Sequence, residues 1–339
     1  MRLISKRNIL EEISALISNR SLHRIFVSSR NTPLFLLALS LAFILPAIIV
    51  PSPVVQYPFM TVGNVPATPF TKVLSVLIYA VTGFVMSQQN FFENRVRWMA
   101  MVFIWLVAMS VFSLDNCWVA LSVLLYVVAL SVLLLSQNTA ASVQVIYIAF
   151  AIVGFASLLT PLFLYLIPPF LLFSFYAKVV GPRGLTAAIL GIATPYWLLF
   201  GGEFVFPGLQ CITEPFLSAL DYVFSFALPH LNLADILLLA ISLTVLLSAV
   251  AIFFGRTSLA KPLLRRRISY LMWQNLYLIL LACFVEQAWP VLYSWSLPAQ
   301  AVLLAFLFSG KPTKVSNICF VLTCIYMLAV AVYSLWVRF

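Results

Sequence analysis

The apolar positions of this chain come in long unbroken runs, separated by short polar breaks. A helix needs roughly 20 apolar residues to cross a hydrocarbon layer about 30 Å thick. Runs of that character stand at 33–50, 71–87, 98–114, 117–135, 143–159, 162–177, 185–201, 233–254, 270–288, 298–309 and 315–336. Several are short or broken by proline, and 298–309 reads either as a span or as a re-entrant segment. Strands of alternating polarity are missing, which argues against a β-barrel. The pattern predicts an all-α, polytopic membrane protein with ten or eleven transmembrane helices.

Composition agrees. Of 339 residues, 64% are hydrophobic and only 8% charged, and mean hydropathy is +1.10. Soluble domains run near 45–50% apolar and about 25% charged. So few charges cannot cover a globule of this size, and lipid must be the solvent for most of the chain. That excludes a cytosolic enzyme, a secreted disulfide scaffold and a disordered tail.

The formal charge of +10 points to topology and not to nucleic acid. With the N-terminus inside and the spans alternating, every Lys and Arg except Lys72 and Arg338 falls on the cytoplasmic side. Asp115, Glu203, Glu214, Asp221, Asp235 and Glu286 fall outside. An early miscount of spans would scramble this bias, so the agreement supports count and orientation together. Residues 1–31 read as a cytoplasmic amphipathic segment and not as a cleavable signal, since Ile9, Ile13, Leu16 and Ile17 recur at helical spacing. Residues 32–339 form one helical transmembrane domain, with an outer loop at 202–232 and a basic inner loop at 255–269.

Familiar chemistry is hard to find. The two histidines, His23 and His230, fall on opposite faces, and the five cysteines show no CxxC. Zinc needs three or four convergent ligands, so no metal or other cofactor is expected. Free thiols are the expected state of the cysteines, although Cys117 and Cys211 share the outer side. Phosphate-cradling glycine motifs and a Ser-His-acid arrangement are both missing.

The outer loop holds the clearest polar pattern. Glu214, Ser218, Asp221 and Ser225 recur at helical spacing from 214 to 228, with apolar residues on the other sides. Two carboxylates seven residues apart lie ~10.5 Å apart along a helix axis, wider than the roughly 5–9.5 Å of a glycosidase pair. The stripe reads as a solvated face or as a surface that meets a substrate or partner. Asp115, Glu203 and Glu286 are further outer candidates. Arg256, Lys261, Arg265, Arg266 and Arg267 form an inner cluster that serves as a topological anchor or as a holder of anionic head groups. Thr160-Pro161 and Ile167-Pro168-Pro169 break the sixth span, and Pro195 interrupts the seventh. Gly184/Ala188 and Ala187/Gly191 there permit close helix packing. Kinked packing or a substrate path follows.

Some of these residues carry a family resemblance. Gly154-Phe155-Ala156-Ser157-Leu158, the basic Lys178 and Arg183, and Gly191…Pro195-Tyr196 are similar to elements of a multipass inner-membrane family of Bacteroidota, a domain of unknown function. Gly184 and Leu185 stand where that family has an acid and a tryptophan, so no role of that acid carries over. The Arg-rich inner loop and the stretch from Pro298 to Ala305 also look similar. The resemblance implies no particular activity. Such proteins tend to accompany polyprenyl-phosphate mannose synthases, which implies envelope glycan work.

The first functional reading is therefore a non-catalytic component that handles lipid-linked glycans or envelope lipids, in translocation or assembly. Its partners would be membrane lipids, a polyprenyl-phosphate-linked substrate or other envelope proteins. A scaffold ranks beside it. A membrane glycosyltransferase is disfavoured, because such enzymes resemble one another in an acid in the first outer loop and residues 51–70 contain none. A secondary transporter is favoured by broken helices and disfavoured by the scarcity of charge within spans.

Overall fold

The computed structural model describes residues 32–50, 68–88, 99–136, 142–176, 181–206, 210–223, 233–256, 262–285 and 288–308, with short pieces at 325–326, 328–330 and 332–333. The amphipathic segment 1–31 and most of the stretch 315–336 lie outside the described residues. Among the described residues every element is helical and none is a strand, so the all-α expectation holds. In chain order they are α1 (Thr32–Ile49), α2 (Pro69–Gln88), α3 (Met99–Met109), α4 (Cys117–Leu135), α5 (Ser142–Leu159), α6 (Ile167–Tyr176), α7 (Pro182–Val205), α8 (Gln210–Val223), α9 (Leu233–Arg256), α10 (Pro262–Phe284) and α11 (Trp289–Phe308). Two 3₁₀ segments, Val111–Leu114 and Pro161–Leu166, precede α4 and α6.

Four of these helices, α2, α4, α7 and α11, are long and apolar enough to cross a membrane. Shorter apolar stretches stand at Leu36–Ile49, Met99–Met109, Val143–Leu159, Pro161–Phe175 and Asp235–Val250. Much of the outer surface is bare hydrocarbon: Phe70, Leu172 and Trp197 are each at least 70% exposed. Water would penalise such a belt, and acyl chains would not.

The stretch 298–309 is neither a short span nor a re-entrant loop. It is the second half of α11, a continuous 20-residue helix with Pro298 inside it. Ser294 and Ser296 lie in its first half, ahead of the expected stretch, and Gln300 in its second. The two hydroxyls and the amide nitrogen find partners within the bundle, although Gln300 Oε1 meets none among the described residues, and α11 is buried along nearly its whole length. The Trp295 indole donates to Ser122 Oγ at 3.0 Å. Gln300 Nε2 donates to Ser242 Oγ at 2.8 Å and to Ser296 Oγ at 2.7 Å.

Close packing in the seventh span is as expected, and its partner is α5. Gly184, Ala187, Ala188 and Gly191 are buried along α7. A Cβ on Gly191 would come within 2.6 Å of the Tyr147 carbonyl, and one on Gly154 within 2.9 Å of Ile192 O and of the Pro195 ring. Only hydrogen fits at either place. Ser157 and Tyr196 share a hydrogen bond across the same seam. Gly154, Ser157, Gly191, Pro195 and Tyr196, part of the set that carries the family resemblance, thus meet at one helix–helix interface.

Loop boundaries shift. The outer loop 202–232 is largely helical, because α7 runs to Val205 and α8 begins at Gln210, four residues before the expected start at Glu214. The inner loop 255–269 shrinks likewise. α9 reaches Arg256 and α10 starts at Pro262, a residue that suits a first turn because it has no N–H to satisfy. Arg265, Arg266 and Arg267 therefore stand on a helix and not in a loop.

Candidate functional site

Pro168 and Pro169 occupy the first turn of α6, where a missing N–H costs nothing. The change from 3₁₀ to α-helix leaves the Tyr165 carbonyl to a partner from another helix, and Tyr277 Oη of α10 donates to it at 2.9 Å. That bond ties the 3₁₀ segment before α6 to α10, and α6 and α10 flank an open space. Between them lies a groove of about 390 Å³, walled by Pro168, Pro169 and Leu172 on one side and by Tyr270, Trp273 and Gln274 on the other. Leu172 and Trp273 are exposed, so the groove opens on the apolar surface of the bundle. At its back the rings of Phe173 and Tyr270 lie 4.0 Å apart.

The groove is mostly hydrocarbon, but not entirely. Gln274 is 1% exposed, and neither its Nε2 nor its Oε1 meets a hydrogen-bond partner among the described residues. The hydroxyl of Tyr270 is in the same position. A buried amide normally finds partners, because leaving it unpaired costs about 1–3 kcal/mol. Sequence reasoning passed over both residues. The signal was present as Gln274-Asn275 in the middle of an otherwise apolar stretch.

A second polar locus surrounds Asp115. The turn from α3 to α4 is short and closed by its own side chains. Asn116, not Asp115, caps α4 by accepting from the Trp118 N–H at 2.9 Å. Ser113 Oγ donates to Ser110 O at 2.6 Å, and Tyr79 Oη donates to Ser113 O at 3.3 Å. Asp115 Oδ1 lies 3.8 Å from Lys72 Nζ, with both side chains buried. Lys72 Nζ also donates to Ala47 O at 2.9 Å and to Val50 O at 2.5 Å. Those carbonyls end α1 and have no partner within their own helix. Lys72, which the basic-residue count left as an exception on the outer side, is thus an interior pin joining α1, α2 and the turn before α4.

The other sequence candidates are scattered. Glu203 is half-buried in the last turn of α7, and Glu214 is exposed on α8. α8 is amphipathic as expected: Thr213, Phe216 and Ala219 are buried, whereas Leu217 and Ser218 beside Glu214 are exposed. Asp221 falls on α8, but its side chain lies outside the described residues, as do residues 224–228. Glu286 and Lys261 also lie outside them, as does the side chain of Arg256. Arg265 is exposed and Arg266 half-buried, whereas Arg267 is buried and donates to Leu134 O at the end of α4 at 3.5 Å. The inner arginines therefore split between surface and interior.

Among the described residues no group of three His, Cys, Asp or Glu could hold a metal ion. Cys117 and Cys283 are free thiols. The groove supplies mostly hydrocarbon, which can bind a chain-bearing molecule. Neither a carboxylate nor an imidazole lines it to serve as a general base. No family model, curated protein or solved structure matches the chain.

Proposed function

We propose that the protein is a multi-pass component of the cell inner membrane that binds an envelope lipid and acts without catalysis, in the translocation or assembly of lipid-linked glycans or other envelope lipids. The groove between α6 and α10 carries this reading. It opens on the apolar surface, is walled mostly by hydrocarbon, and has neither a carboxylate nor an imidazole among its lining residues. The bias of Lys and Arg to one side supports a cytoplasmic N-terminus, and the resemblance on the α5–α7 seam supports envelope work.

Native mass spectrometry after mild detergent extraction tests it. The intact chain should retain a lipid. Ser269→Trp, which fills the groove from α10, should lose that lipid while keeping the thermal midpoint. No retained lipid, or equal retention by the variant, would refute the reading.

A further inference from the structure

The groove is bounded at one end and charged beyond the other. Ser269, Trp273 and Tyr277 of α10 line it, and Arg266 falls on the same helix face, three, seven and eleven residues before them. Tyr277 marks the bounded end, where its hydroxyl donates to the Tyr165 carbonyl. From Arg266 to Tyr277 the helix axis runs about 16 Å, at about 1.5 Å per residue. Half of a hydrocarbon core about 30 Å thick is about 15 Å. From the arginine to the bounded end is therefore the depth of one leaflet.

The charged end has no described carboxylate to balance it. Arg265 is exposed and Arg266 half-buried, and no described carboxylate pairs with either. Arg267 beside them donates to Leu134 O at the end of α4, whereas Asp115 stands before the start of α4, about 28 Å away along that helix. Asp235 stands in the first turn of α9, with the rest of that helix between it and α10. An anion at Arg266 would thus meet attraction and no opposing acid from these helices.

A tail gains little by leaving the bilayer for the groove, because lipid tails are as apolar as the side chains that wall it. Selection therefore falls to the head group. A polyprenyl chain is several times longer than the groove and has to turn out of it at Tyr277. A chain that ends within one leaflet does not.

We propose that the groove seats a diacyl phospholipid with an anionic head, the head at Arg266 and one acyl chain running toward Tyr277. This rests on the lipid-binding reading above and deepens it by naming the class of lipid, chosen by charge, with a polyprenyl carrier disfavoured in this groove.

The full-length chain in vesicles of dioleoylphosphatidylcholine, with equal minor fractions of dioleoylphosphatidylglycerol and undecaprenyl phosphate, tests this. Lipids carried through mild detergent extraction are identified by native mass spectrometry. Phosphatidylglycerol should be enriched about fivefold over phosphatidylcholine relative to the vesicle, the scale of one arginine beside an anionic lipid. Undecaprenyl phosphate should not exceed it. Arg266→Gln should bring the enrichment near one, with lipid still bound and the thermal midpoint unchanged. Arg265→Gln makes the same change of charge about 100° away around the helix and should keep most of the enrichment. Ser269→Trp should lose both phospholipids. Equal retention of the two phospholipids, an excess of undecaprenyl phosphate, or equal effects of the two arginine replacements would overturn the proposal and leave lipid binding intact. Retention of no lipid, or retention that Ser269→Trp leaves unchanged, would instead sink the lipid reading itself.

Discussion

Lys72–Asp115 and Gln274–Tyr270 both place polar side chains in an apolar bundle, and they differ in one respect. The ammonium of Lys72 meets two helix-terminal carbonyls and a carboxylate. The amide of Gln274 and the hydroxyl of Tyr270 meet no protein partner among the described residues. The first locus fastens helix ends and opens on nothing. The second lines a groove that faces the hydrocarbon surface. A polar group in such a bundle is therefore informative through its partners more than through its identity. Satisfied groups such as Lys72 specify packing, whereas Gln274 and Tyr270 keep polar atoms that the packing leaves unmet.

The largest effect should come from breaking the satisfied locus. Lys72→Met alone, or Asp115→Leu alone, removes one partner of a buried pair and should cost about 3–5 kcal/mol. The double variant Lys72→Met/Asp115→Leu should recover much of that loss, because no uncompensated charge is left. Thermal or denaturant unfolding in detergent reads both. Single variants with unchanged stability would erase the contrast between the two loci.

A middle-sized effect is expected where α11 meets α4. Ser122→Ala leaves the buried indole N–H of Trp295 unpaired and should cost about 1–3 kcal/mol. Gln274→Leu removes an amide that has no partner to lose, so the same unfolding measurement should shift by less than about 1 kcal/mol, in the stabilising direction if at all. A large loss there would show that the amide is held by protein or by structural water, and the contrast would collapse from the other side.

The smallest effect belongs to Glu214, an exposed carboxylate on α8. Exposed charges are well solvated and screened, so Glu214→Gln should leave expression and membrane insertion unchanged. Normal protein level with failed complementation of a deletion strain would mark α8 as a contact surface, a role separate from the groove.

The helical fold was legible because a lipid solvent forces backbone groups to pair within each helix, and that requirement writes itself as long apolar runs. The runs at 117–135 and 143–159 match α4 and α5 closely. Gly184, Ala187, Ala188 and Gly191 announced a close approach, because small residues have few other uses at that spacing. The α11 helix was misread for the opposite reason. Ser294 and Ser296, in the gap before the expected stretch, look like loop residues to a hydropathy count, which has no knowledge that their hydroxyls bond carbonyls of their own helix. Of the site, Pro168 and Pro169 were flagged as a break, but the facing wall on α10 was not.

By itself, then, the sequence settled the helical class, because that depends on summed composition and on local period. Pairing lay beyond it. Lys72 and Asp115 stand 43 positions apart, and nothing local tells either that the other is its counter-ion. The walls of the groove, Pro168 and Gln274, are 106 positions apart. Only the packing of α6 against α10 decided that a proline break would open a cavity there and that a buried amide would line it, because a cavity is a property of two surfaces that fail to meet.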